Sequence, residues 1–72
     1  MTLIKENDRY KIIWFTHILN AVEAREWCYQ LWQNNWGRAM FQVPNQLGMA
    51  NHSFIFHNFT HATWFMMKFN SI

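Results

Sequence analysis

The stretch Ser53 to Phe69, SFIFHNFTHATWFMMKF, constrains the fold more than any other part of the chain. It opens on a short apolar run, Phe54-Ile55-Phe56. A polar hinge follows at His57-Asn58. An amphipathic turn comes next, Phe59 to Phe65, and then a second apolar run from Met66 to Phe69. Short apolar runs separated by polar punctuation read as a strand, a short helix and a strand. Asn58 is placed to cap the helix, because its side-chain oxygen can accept a first-turn N–H.

Upstream, Met1 to Asp8 is polar after Leu3 and Ile4 and reads as a loose lead-in, residues 1–8, or as an edge extension. Tyr10 to Thr16 is rich in β-branched and aromatic residues, which favour a pleated surface, and reads as the first strand. Tyr10, Ile13, Trp14, Ile18 and Ala21 also fit helical spacing, so a helix from Asp8 onward is the competing reading. Asn20 and Glu23 have the spacing of a capping box. From there to Asn35 the pattern is helical, with Ala24, Trp27, Cys28 and Leu31 on one face. Gly37 is placed to end that helix. Arg38 to Val43 reads as a second strand, stopped by Pro44, which has no N–H for a sheet ladder. Pro44 to Asn51 is a loop, His52 to Phe56 a third strand, and Met66 to Asn70 a fourth.

Strand, helix, strand, strand, helix, strand is the split βαβ order, so the expected fold is α+β, a two-layer ferredoxin-like βαββαβ sandwich. The alternative is a mainly helical chain with a C-terminal hairpin. At 72 residues the chain is read as one small domain, 1–72. Domains of this size bury only about 60% of their unfolded surface. Here apolar residues are 51% and aromatics 19% of the chain, more than one small core readily hides. Exposed apolar area of that kind marks a partner site.

The segment Ala24-Arg25-Glu26-Trp27-Cys28, with Phe54-Ile55-Phe56 and then His61-Ala62, Phe65, Met67 and Phe69, resembles a group of very small tailed-phage accessory proteins. These tend to have an "EA..WC" helix and a C-terminal "F.F....A..F...F" tail. The likeness covers about half of the chain. It implies a phage or host–phage setting, and no defined activity comes with it.

The chemistry open to the chain is narrow. His52, His57 and His61 lie close in sequence with Cys28 elsewhere, but no familiar zinc spacing is present, and ordinary surface or edge histidines are the expected reading. Cys28, on the apolar helix face, reads as a small hydrophobe rather than a nucleophile. Glu6, Asp8, Glu23 and Glu26 form no paired carboxylates, and Gly37 and Gly48 are too isolated for a phosphate loop. No enzyme, cofactor or metal is expected. One cysteine excludes an intrachain disulfide and suits a reducing cytoplasm, that of the host if the chain is phage-encoded. Two sequons, at Asn51 and Asn58, matter only in a secretory compartment. No run approaches the roughly 18 apolar residues of a membrane helix, and Glu6 and Asp8 occupy the place of a signal peptide's basic region.

The expected function is therefore protein binding through an apolar sheet face. Ile13, Phe15, Ile55 and His57 are the candidate contacts, and the partner is a second copy or a host protein that the chain modulates. The other class is single-stranded nucleic-acid binding, with Tyr10, Trp14, Phe54 and Phe56 as stacking platforms. A net charge of +2 from scattered basic residues favours the first.

Overall fold

A computed structural model describes residues 1–70. Their elements are β1 (Thr2–Glu6), β2 (Arg9–His17), α1 (Ile18–Trp32), β3 (Gly37–Met40), β4 (Met49–Phe56) and α2 (Phe59–Phe69). The four strands form one antiparallel sheet in the order β1-β2-β4-β3. The fold is α+β, with the residues that meet the helices all on one face of the sheet.

The first difference from the sequence reading is at the N-terminus, where residues 2–6 form an edge strand, so the edge extension holds and the loose lead-in does not. Thr2 to Glu6 pairs with Arg9 to Ile13 as a tight hairpin. Asn7 makes the turn with a left-handed φ of 57°, a region asparagine tolerates better than most residues. The hairpin places Leu3 beside Ile12 and packs it against the core.

The second difference is at the other end. Met66 to Asn70 is not a strand, because α2 runs on through Phe69. Ala62, Phe65, Met66 and Phe69 fall at i, i+3, i+4 and i+7 and turn to the core, while Met67 and Lys68 stay outside. The element order is thus ββαββα rather than βαββαβ. The edge position beside the first predicted strand, expected from the C-terminus, is taken by the N-terminal strand. The predicted first and third strands, β2 and β4, are the two central ones.

Helix boundaries moved as well. α1 follows β2 without a loop, and its N-cap is His17, whose Nδ1 accepts from the Leu19 N–H at 3.1 Å. Asn20 lies inside the first turn and its amide donates to Thr16 Oγ1 at 3.0 Å. The helix ends at Gln33, with φ 56°, which donates to the Tyr29 carbonyl at 2.9 Å. Gly37 instead opens β3, with φ 135°, and a Cβ there would run into the Ile55 carbonyl. Asn58 caps α2 as expected, accepting from the Thr60 N–H at 2.7 Å.

Phe65 stands at the centre of the core. Its ring lies 4.6 Å from Phe54, 5.4 Å from Phe56 and 4.9 Å from Phe69, centroid to centroid. Trp14 and Trp27 meet it edge-on. Small residues, Ala21, Ala24 and Ala62, let both helices approach the sheet, and all three are fully buried. Leu31, expected on the buried face of α1, is 47% exposed instead. No helix among the described residues is long and apolar enough to cross a membrane.

Candidate functional site

Side chains alternate along a strand, so each strand divides into a helix-facing set and an open set. On β2, Ile12 is fully buried beneath the helices, which puts Arg9, Lys11, Ile13 and Phe15 on the open face. On β4 the helix-facing set is Ala50, His52, Phe54 and Phe56, and the open set is Met49, Asn51, Ser53 and Ile55. The register adds Ile4 and Thr2 from β1 and Arg38 and Met40 from β3 to the open face.

Ile13, Ser53 and Met40 stand side by side across three strands. Ser53 in the middle of the row is only 8% exposed. Ile55 lies next to this row between Lys11 and Arg38, and Phe15 extends from it at 55% exposure. The outcome is a mixed face in which Ile13, Met40, Ile55 and Phe15 are set among Ser53, Lys11 and Asn51.

The two ends of the face differ in charge. Toward the β1–β2 turn, Glu6, Asp8, Arg9, Lys11, Arg38 and His57 surround an open depression of about 660 Å³. Lys11 and Glu6 are 4.0 Å apart, partly exposed, and such pairs contribute little. Toward the β3–β4 loop, Ile13, Phe15, Val43 and Met49 border a second depression of about 450 Å³ with no charged residue in its lining.

Three of the four predicted contact residues, Ile13, Phe15 and Ile55, therefore share the open face. His57 lies just past the end of β4 on its rim, exposed, with its N–H donating to the Trp36 carbonyl at 3.1 Å. Sequence reasoning missed Ile4, because the Asn7-Asp8 turn signal was passed over, and Met40 and Met49, whose parity needs the register.

Tyr10, Trp14, Phe54 and Phe56 lie on the opposite face. Phe54 and Phe56 are fully buried, Trp14 packs 5.5 Å from Phe69, and Tyr10 packs 5.3 Å from Phe59. The helices cover the surface on which bases would stack, so these four rings serve as core.

The histidines separate too. His52 is fully buried, His57 is exposed, and His61 stacks on Trp32 at 4.1 Å. Among the described residues no three His, Cys, Asp or Glu side chains come close enough to hold a metal ion. Burial pushes the Cys28 thiol up to about 12, so the nucleophilic thiolate is scarce near neutrality. Burial also lowers the proton affinity of His52 and His61. Compared with known proteins, the chain matches no family model, no curated protein and no solved structure.

Proposed function

We propose that this chain is a small non-enzymatic protein-binding module that docks through the open face of its sheet. The observation that carries this reading is the row Ile13, Ser53 and Met40 with Ile55 and Phe15 beside it. A sheet covered on one side alternates to polar residues on the other, whereas this one keeps Ile4, Ile13, Phe15, Ile55, Met40 and Met49 there among Lys11, Asn51 and Ser53. Leaving apolar area in water costs about 25 cal/mol per Å², so a partner that covers it is stabilised.

The face measures roughly 20 by 25 Å from strand spacing and rise. Covering it buries on the order of 1,000 Å² over both partners, at the lower end of specific interfaces. A second copy, sheet against sheet about a two-fold axis, is the simplest occupant. A host protein in the phage setting that the sequence pattern suggests would use the same face. Base stacking has less support, since the rings assigned to it are core.

A photo-crosslinking amino acid placed at Phe15, with a control at Gln30 on the wet side of α1, tests the reading in the cell of origin. The expected result is a discrete adduct from position 15 and none from position 30. For the second copy, light scattering at micromolar concentration should give roughly twice 8.9 kDa. A clean monomer with no adduct at position 15 would overturn the proposal. So would oligonucleotide binding at 50 mM salt that Phe15→Asp abolishes.

A further inference from the structure

We propose that His52 is an acid-labile clamp on the segment Phe41 to Asn45, so that protonating one buried ring loosens one wall of the open sheet face. The regulatory half of this inference rests on the docking reading above; the clamp itself does not.

The ladder between β3 and β4 ends at the pair Met40 and Ser53. Beyond it, residues 41–45 run without strand pairing. The Gln42 N–H, left over by the ladder, donates instead to Nδ1 of His52 at 3.2 Å. Phe41 meets the same ring edge-on, with centroids 5.2 Å apart and 80° between the planes. One side chain of β4 thus holds two consecutive residues. On the outer side, Gln42 and Val43 line the uncharged depression together with Phe15 and Met49.

A ring nitrogen that accepts an N–H carries no proton. The proton of neutral His52 therefore sits on Nε2, which is buried and has no partner. A second proton would turn Nδ1 into a donor aimed at the Gln42 N–H. The hydrogen bond would become an opposition of two donors, around a cation closed off from water.

Among the described residues no group packed nearby offsets that charge. On β2 the cross-strand neighbour is Trp14. On α1 the buried residues are Ala21, Ala24 and Cys28, and its cation Arg25 lies 5.2 Å over the Phe41 ring. The α1 carboxylates Glu23 and Glu26 are exposed, as is Lys68 on α2, whose Phe65 packs on Phe54. Lys11 and Arg9 of β2 are on the far face of the sheet. Among the described residues no carboxylate pairs with the ring. Protonation and release of the ring are then one event. The direction agrees with burial lowering the proton affinity of His52.

Amide exchange and ¹⁵N–¹H spectra between pH 8 and 4.5 test this on the wild-type chain and on His52→Asn and His52→Gln, whose carbonyl oxygens accept but do not titrate. In the wild type, Gln42 should be protected above about pH 6.5 and lose protection about tenfold or more below it. The Ile12 amide should keep its protection throughout. The Met49 methyl and Phe15 ring signals should shift with the Gln42 midpoint. A folded Asn or Gln variant should hold Gln42 protected across the range. Protection of Gln42 that ignores pH in the wild type would overturn the clamp. So would a variant that titrates like the wild type, since another group would then be responsible. A Gln42 response with Met49 and Phe15 unmoved would overturn the coupling to the face. Failure of the docking reading shows separately, as a monomer without adducts from position 15, whatever Gln42 does.

Discussion

On the two central strands, β2 and β4, the two faces of the sheet are one residue out of step, and they behave differently. Ile12, Phe54 and Phe56 are fully buried under α1 and α2. Ile13 and Ile55, their immediate neighbours, are half-buried, and Phe15 is more than half exposed. All six are apolar, so composition does not separate the faces. What separates them is the supply of covering groups: two helices bring Ala24, Ala62 and Phe65 to one side, and among the described residues no helix lies over the other. An apolar residue on a central strand is core only where something lies above it.

The largest expected effect tests that difference directly. Phe65→Ala removes the ring that touches Phe54, Phe56 and Phe69, and should destabilise the fold by about 3–5 kcal/mol. Domains hold only about 5–15 kcal/mol in total, so much of this stability would go. Phe15→Ala, on the open face of the isolated chain, should stay within about 0.5 kcal/mol. Urea midpoints of the two variants read the contrast, and equal losses would erase it.

Next in size is pH. His52 and His61 are held neutral by burial, so both have depressed proton affinity in the folded state. The unfolded chain then binds more protons, and their contribution is present above about pH 6.5 and lost as pH falls toward the folded values. The slope is at most about 1.4 kcal/mol per pH unit for each ring. Melting curves at pH 7.5 and pH 5 should show lower stability in acid, and a flat profile would mean that the helix-facing side is not closed to water.

Gly37→Ala is the third comparison. A Cβ on this side of β3 meets the Ile55 backbone, at a φ of 135° that L side chains rarely adopt. The change should cost more than about 1 kcal/mol, against an exposed control such as Gln30→Ala near zero.

The smallest contrast is between caps. Asn58→Ala should cost about 1 kcal/mol by freeing the Thr60 N–H. Asn20→Ala, which removes only a part-buried bond to Thr16, should cost less. A larger loss at Asn20 in denaturant midpoints would restore it as the cap of α1.

Much of this architecture was legible in the residues. Tyr10 to Thr16 and His52 to Phe56 announced central strands through their β-branched and aromatic content, and Asn58 announced a cap through its place before an amphipathic turn. Ile13, Phe15 and Ile55 were legible as a shared set by parity alone. Leu3 and Ile4 left residues 1–8 open between a tail and an edge extension, because two apolar residues in a polar segment do not choose between them until a hairpin pairs them. Met66 to Phe69 misled because a short apolar run is ambiguous between strand and helix. The stripe from Ala62 to Phe69 resolves it, and that stripe has a use only against a sheet.

What the amino-acid sequence determined by itself was local: the two central strands, the body of α1, the cap of α2, and which residues stand on the same side of each strand. These follow from backbone sterics, side-chain branching and the two-residue period, none of which needs a partner element. The tertiary structure decided the rest. It chose which apolar set became core, gave an edge position to residues 2–6, and closed His52 away from water with one nitrogen unpaired. Those outcomes depend on pairing register and on where two helices come to rest. Burial and hydrogen-bond satisfaction are properties of what surrounds a group, and residues distant in sequence supply those surroundings.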